Sequence, residues 1–166
     1  MRQGRCQRGF TLVELAMVIA IIGILITIAT MYWSSMQKKG FIEKEVTKIY
    51  STLMSVRLQA LYTKTPRRVT FSGKVMKIYP GTDATVPPVE SITMTYPMVT
   101  TGGVNQVDFD IDGLNLTGET AICVDPTGTM GSNAGNTDSV DVMAAKIFMG
   151  KRQSGATCDP KNIDQK

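Results

Sequence analysis

The 166-residue chain contains no histidine. Its absence excludes Ser–His–Asp and Cys–His nucleophile pairs, histidine-ligated zinc, HExxH metalloproteases and haem held by histidine. The phosphate-binding loops GxGxxG and GxxxxGK followed by Ser or Thr are missing as well. We therefore expect a protein that is not an enzyme and has no catalytic cofactor.

Charge is also scarce. Charged residues make up 19% of the chain, against about 25% in an average protein. The formal net charge is +4, but Arg2, Arg5 and Arg8 supply three of those charges. From Phe10 onward the net charge is only +1, which predicts no strongly basic surface for nucleic acid.

A long apolar run lies near the N-terminus, residues 10–36, with the sequence FTLVELAMVIAIIGILITIATMYWSSM. No charge occurs from Leu15 to Gln37. As a helix this uncharged part would measure about 34 Å, enough to cross a hydrocarbon core of about 30 Å. Tyr32 and Trp33 near its end are typical of a membrane interface. The run therefore predicts a transmembrane helix.

The helical pattern continues beyond this run, with apolar residues at alternating steps of four and three. Pro66 ends the pattern, because the residue before a proline is biased away from helix. Together the two halves predict one helix of about 50 residues, with Gly40 as a soft point between them. The apolar face of the second half consists of Ile42, Val46, Ile49, Leu53, Val56 and Ala60.

After Pro66 the apolar period changes from 3.6 to 2, which indicates β-strands. We expect an α+β fold in which a long N-terminal helix, transmembrane in its first half, packs on one small antiparallel β-sheet. Pro80–Pro88 and Asp125–Asp138 are predicted loops, and the tail from Gly150 is polar. The predicted strands are Arg68–Ser72 and Lys74–Tyr79, which form a hairpin at Gly73, then Ser91–Tyr96, Gln106–Ile111, Thr120–Val124, Ser139–Val142 and Lys146–Met149.

Glu14 is the only charged residue between Arg8 and Lys38. A carboxylate within lipid costs a few kcal/mol, and the chain has no cation one helical turn away. One interpretation leaves Glu14 solvated at the membrane interface. In the other, cleavage after Gly9 exposes an α-amine on Phe10, which pairs with the Glu14 of a neighbouring subunit.

The segment RGFTLVELAMVIAIIGILITIA, Arg8–Ala29, resembles the signal of type IV pilins and type II secretion pseudopilins. The resemblance implies that a prepilin peptidase cuts after Gly9 and N-methylates Phe10, and that Glu14 guides assembly into a filament of other pilins or pseudopilins. One difference is Met31, where many members of the family have a proline that is associated with a kinked or melted helix. An ordinary secretory signal peptide and an uncleaved signal anchor are alternatives.

Two further segments are similar to the GspH/FimT group of minor pseudopilins and minor pilins. They are TKIYSTLMSVRLQALYTKTPRRVTF, Thr47–Phe71, and VDFDIDGLNLTGETAICV, Val107–Val124. Gly150, Lys151 and Arg152 stand about where some members have a glycine–arginine motif. The resemblance implies a cleaved leader at 1–9, a transmembrane and assembly half of the helix at 10–37, an amphipathic half at 38–65 and a periplasmic β-sheet domain at 66–166.

Residues 108–119 fit the calcium-loop pattern D-x-D-x-D-G-x5-E in full. In an EF-hand loop Asp108, Asp110, Asp112 and Glu119 would supply side-chain oxygens, and Gly113 the sharp turn. No helical pattern flanks the loop. The alternative is an edge strand with outward aspartates and inward Val107, Phe109 and Ile111, so calcium remains an open expectation.

Lys151 and Arg152, with Arg67 and Arg68, form two short basic clusters that would suit DNA phosphates. Some FimT-like minor pilins are implicated in DNA uptake, so the resemblance keeps a DNA-binding minor pilin open. Two such clusters in a body of net charge +1 are also typical of a solvated face. DNA is therefore an alternative partner.

Three cysteines are present, Cys6, Cys123 and Cys158. If the body is exported, Cys123 and Cys158 are the pair expected to form a disulfide, because Cys6 lies in the basic tip. The leader arginines favour a single-pass protein in the bacterial inner membrane, with a cytoplasmic N-terminus and a periplasmic body. The overall expectation is a minor pseudopilin or minor pilin, with a membrane-anchored periplasmic calcium-binding domain as an alternative.

Overall fold

The computed structural model describes residues 10–128 and 135–166, and for residues 28–32, 34 and 35 it describes the backbone alone. A single α-helix, α1, spans Leu12–Thr63. Strands follow it to the end of the chain. The chain divides into two compact units, of which the first ends at Gln37 and the second runs from Lys38 to Lys166.

In the second unit, α1 buries the face that the sequence predicts. Its six apolar residues from Ile42 to Ala60 are each at most 1% exposed. The helix ends at Thr63, and Lys64 takes a positive φ of 51°, a backbone conformation that commonly follows a helix. Thr65 and Pro66 then lead into the first strand.

A four-stranded antiparallel sheet consists of β1 (Arg67–Ser72), β2 (Val75–Tyr79), β3 (Glu90–Thr93) and β5 (Gln106–Phe109). Their order in the sheet is β3-β2-β1-β5. The predicted hairpin at Gly73 is present, and Gly73 has the positive φ that its turn requires. Against the prediction, β3 and β5 end earlier than the strands expected at these places, before Tyr96 and Ile111.

A second antiparallel sheet has five strands, so the expectation of one sheet was wrong. The strands are β4 (Met98–Thr100), β6 (Thr120–Val124), β7 (Ser139–Val142), β8 (Ile147–Arg152) and β9 (Ile163–Gln165). Their order in the sheet is β4-β6-β7-β8-β9. Both β4 and β9 are three residues long, too short for a period to be read from the sequence. The polar tail contributes β9 and the end of β8.

Both sheets pack on the same face of α1. Val69 and Phe109 from the first sheet and Ile122 and Val140 from the second are at most 1% exposed within one apolar core. A smaller cluster on the opposite face of the five-stranded sheet contains Ala121, Cys123, Cys158 and Ile163. Because the two clusters lie on opposite faces of the second sheet, β6 is buried on both of its faces. The helix and the two sheets together confirm the predicted α+β class.

Candidate functional site

The N-terminus of α1 has a side-chain cap. The Thr11 hydroxyl accepts a hydrogen bond from the Glu14 N–H at 3.3 Å, and the Thr11 carbonyl accepts one from the Leu15 N–H at 3.2 Å. Thr11 is thus the N-cap residue of α1, and Glu14 is at its third helical position. A carboxylate in the first turn also interacts favourably with the helix dipole. Glu14 therefore has a local role in starting the helix.

Phe10 is the first residue that the structure describes, and its side chain is 79% exposed. The predicted leader, residues 1–9, and with it the Gly9 side of the cleavage site, lies outside the described residues. Phe10 therefore lies immediately before Thr11, the N-cap residue of α1. It leaves processing at the bond after Gly9 as a prediction.

The described part of the first unit exposes its apolar side chains. The large apolar residues from Leu12 to Ile26 range from 45% exposed at Val18 to 84% at Leu12. A contiguous exposed apolar surface of this kind marks a site of contact with another apolar surface. In the part of the chain that is described, no helix combines the length and the apolar character needed to cross a bilayer.

Cys123 and Cys158, the pair expected from the sequence, form a disulfide with a Cα–Cα distance of 6.0 Å. Cys123 lies in β6, and Cys158 lies in the segment between β8 and β9. Both are buried, with Val99 packed against them. The bond therefore fastens the C-terminal segment to the outer face of the five-stranded sheet.

Two carboxylates of the predicted calcium loop accept hydrogen bonds within the protein. Asp108 accepts hydrogen bonds from Arg68 Nε at its Oδ1 and from Arg68 Nη2 at its Oδ2, both at 2.7 Å. Asp110 Oδ1 accepts the N–H groups of Asp112 at 2.9 Å and Leu114 at 2.7 Å, and so caps the turn. These carboxylate oxygens are already engaged within the protein.

The other two acidic residues of the pattern, Asp112 and Glu119, are both exposed, and Asp112 pairs with Lys64 at 3.2 Å. Across the described residues no group of three or more acidic, cysteine or histidine side chains is arranged to hold a metal ion. The segment thus has no preformed metal site among the described residues, and calcium binding stays a prediction. The segment is an edge strand that turns at Gly113, where φ is +69°, although Ile111 lies beyond the strand and is 45% exposed.

Lys151 and Arg152 do not form an exposed basic pair. Lys151 Nζ lies 3.1 Å from Asp138 Oδ2, and the Arg152 N–H donates to Asp138 Oδ1 at 2.7 Å. The Arg152 side chain is buried, 3% exposed, and its Nη1 donates to the Ala156 carbonyl. Arg68 is likewise paired with Asp108, so these three residues make contacts within the protein, and DNA binding stays a prediction.

Sequence reasoning missed several buried acidic residues, among them Asp138 and Asp141. Asp138 is 1% exposed and joins the end of the loop to β8, and Asp141 is fully buried in β7. Burial raises the pKa of Asp141, the negative charge of Glu119 raises it further, and a hydrogen bond from Gln165 opposes this change. Because Asp141 alternates with Val140 and Val142, the sequence predicts that its side chain lies on the sheet face away from α1. The sequence does not predict that the C-terminal segment covers that face of the sheet.

Comparison with known proteins adds evidence from motif and fold. The prokaryotic N-terminal methylation motif matches residues 4–30. The fold is similar to crystal structures of the type IV minor pilin FimU from Pseudomonas aeruginosa. One has a TM-score of 0.58 at 14% identity, over 71% of this chain and 95% of FimU. The other has 0.55 at 15%, over 70% and 99%. No curated protein sequence matches significantly.

The motif is that of prokaryotic N-terminal methylation and the fold is similar to that of a minor pilin, which agrees with the expectation of a non-enzymatic protein. At these identities the likeness to FimU concerns the fold alone. The motif, in contrast, covers Phe10 and Glu14, the residues that the sequence singled out. The chain thus combines the prokaryotic N-terminal methylation motif with an α+β fold similar to that of a type IV minor pilin.

Proposed function

We propose that this chain is a minor pseudopilin of a type II secretion system or a minor pilin of a type IV pilus. A prepilin peptidase removes residues 1–9 and methylates Phe10, and the N-terminal helix then assembles with other pilins. The observation that supports this proposal most is that the N-terminal part of α1 exposes its apolar side chains and contains one charged residue, Glu14. Such a surface is stable only against another apolar surface.

Glu14 provides the charge pairing in this assembly. Lipid tails and apolar helices are alike in polarity, so apolar burial changes little when helices associate. Apolar contacts between such helices are also similar in many registers. A single carboxylate that meets the amine of a neighbouring Phe10 favours one of those registers. Desolvation offsets most of the attraction, so the pair contributes specificity more than stability.

Before assembly, the uncharged run Leu15–Gln37 is proposed to lie in the inner membrane. The three leader arginines favour a cytoplasmic N-terminus by the positive-inside rule. The body would then be periplasmic, an oxidising compartment in which the Cys123–Cys158 disulfide persists. Extraction into a filament exchanges lipid contacts for helix contacts.

Two variants separate the charge of Glu14 from its role in the helix cap. Glu14→Gln keeps a residue favoured at the third position of a capping box but removes the charge, so we expect incorporation into filaments to be lost. Thr11→Ala removes the cap, at a cost of about 1 kcal/mol in helix stability, but keeps the charge, so incorporation should persist. The measurement is the amount of the chain in filaments sheared from the host. Incorporation of Glu14→Gln at the wild-type level would overturn the proposal.

A further inference from the structure

We propose that three lysines on α1 bind the headgroups of anionic phospholipids. They are Lys38, Lys39 and Lys44, at the start of the second unit, and we call them the lysine collar. The inference rests on the proposed placement of Leu15–Gln37 in the inner membrane. It deepens that proposal, because it names the class of lipid that contacts the helix where the helix leaves the bilayer.

The lysine collar directly follows the uncharged run. Lys38 is the first charged residue after Glu14, and α1 continues through it to Thr63. At a rise of about 1.5 Å per residue, Lys44 lies about 9 Å further along the helix axis than Lys38. The headgroup region adds about 5–8 Å to the hydrocarbon core on each side. All three lysines therefore reach headgroup phosphates, since long lysine side chains extend toward the membrane interface.

The lysines of the collar lie on different sides of α1. With about 100° of rotation per residue, Lys38, Lys39 and Lys44 are separated around the helix axis by about 100°, 140° and 120°. Lys38 and Lys44 are exposed, and Lys39 is partly exposed. A folded protein partner contacts a helix from one side, whereas lipid headgroups surround it. The distribution of positive charge therefore favours lipid over an acidic protein.

The acidic residues of the same segment are held by the body. Glu45 is 8% exposed, and its carboxylate accepts the N–H and the hydroxyl of Thr95, both at 3.0 Å. Glu43 keeps its charge, but its Oε1 accepts the Asn136 N–H at 2.8 Å. Among the described residues, no acidic side chain forms an ion pair with a lysine of the collar. The collar therefore presents a net positive charge.

Phe41 adds an apolar side chain to this surface. It lies between Lys39 and Lys44 in the helix and is 49% exposed. Exposed aromatic residues beside lysines suit the boundary between headgroups and acyl chains, because one lipid offers both a phosphate and an apolar chain. The adjacent uncharged run holds the collar at the membrane, so lipid is favoured over nucleic acid as the source of the phosphates.

Quenching of tryptophan fluorescence by brominated lipid tests this contact. Trp33 is the only tryptophan and lies five residues before Lys38 in the same helix. The full-length chain is reconstituted in vesicles of phosphatidylcholine that contain a minority of phosphatidylglycerol. In one sample the phosphatidylglycerol carries bromine on its acyl chains, and in the other an equal amount of the phosphatidylcholine does. We expect brominated phosphatidylglycerol to quench about twofold more, because each lysine near the surface attracts anionic lipid.

Charge variants make the test specific. The collar variant carries three substitutions, Lys38→Gln, Lys39→Gln and Lys44→Gln. The control variant makes the same change in charge at three exposed lysines of the body, Lys74→Gln, Lys77→Gln and Lys161→Gln. We expect the collar variant to be quenched equally by the two lipids and the control variant to keep the wild-type preference. A variant with arginine at all three collar positions should also keep it, because its charge is unchanged.

The possible results separate this inference from the proposed function. Equal quenching of the wild-type chain by the two brominated lipids would overturn the inference alone. So would a preference that persists in the collar variant, or one that an oligonucleotide or polyglutamate removes at constant ionic strength. If neither lipid quenches Trp33, the placement of the helix in the membrane is wrong and the inference fails with it. Glu14 is unchanged in every chain, so the test of filament incorporation stays separate.

Discussion

Arg68 and Asp108 form a bidentate ion pair between neighbouring strands, with Nε–Oδ1 and Nη2–Oδ2 distances of 2.7 Å each. They stand directly opposite each other in the β1–β5 register. The hydrogen bond to Asp108 is the largest cause of a raised pKa of Arg68. The first aspartate of the calcium pattern is therefore a partner for arginine, and this pairing holds the edge strand to the sheet.

We expect Asp108→Ala to lower the free energy of unfolding by about 1–3 kcal/mol, because Arg68 would lose a charged hydrogen-bond partner in a half-buried position. Lys64→Ala is the matched control. It breaks the exposed Lys64–Asp112 pair and should cost less than about 1 kcal/mol. Thermal denaturation measures both. Calcium should leave the wild-type melting temperature unchanged, and a calcium-dependent rise that Asp108→Ala removes would contradict the assignment.

Asp141 should make stability depend on pH. Burial raises the pKa of Asp141 in the folded state above the unfolded value of about 3.9. The contribution of Asp141 to the free energy of unfolding is therefore fully present below the unfolded pKa and is lost as the pH rises through the folded-state pKa. Asp141→Asn removes the buried charge. We expect this variant to melt several degrees higher than wild type at pH 7 and at the same temperature at about pH 3. A variant that melts lower than wild type at pH 7 would refute this interpretation.

Gly150 lies where the C-terminal segment returns to the sheet. A Cβ atom there would overlap Ile163 Cγ2 and lie 2.9 Å from the Asp164 carbonyl oxygen. We therefore expect Gly150→Ala to destabilise the body by about 1–3 kcal/mol by displacing β9 from β8. Gly81→Ala is the control, since no atom lies within 4 Å of its Cβ position. Equal unfolding midpoints for the two variants in urea would rule out close packing at Gly150.

The parts of the fold that the sequence predicted are those with a long, regular period. Six apolar residues from Ile42 to Ala60 specified the buried face of α1, and Thr120–Val124 matches β6 residue for residue. The strands β4 and β9 were missed because three residues carry no readable period. The end of β8 was missed because Lys151 and Arg152 are polar, and their pairing with Asp138, 14 residues before Arg152, depends on the sheet.

The candidate site shows the same limit. Glu14 was recognisable because it is a lone charge in an apolar run, a feature that needs no knowledge of the fold. The calcium pattern had the right residue types at the right spacing, but Arg68 lies 40 residues from Asp108 in the chain and only the sheet brings them together. A motif read from the sequence therefore gives residue types and spacing, but not the partners that the fold brings to those residues.

The mass of the mature N-terminal peptide tests the central claim most directly. The chain is expressed with its leader in a host that has a prepilin peptidase, purified in detergent and digested for mass spectrometry. The account predicts a peptide that begins at Phe10 and is heavier by one methyl group on the α-amine, consistent with the motif over residues 4–30. A chain that keeps Met1, or one that is cleaved beyond Ala29, would contradict it.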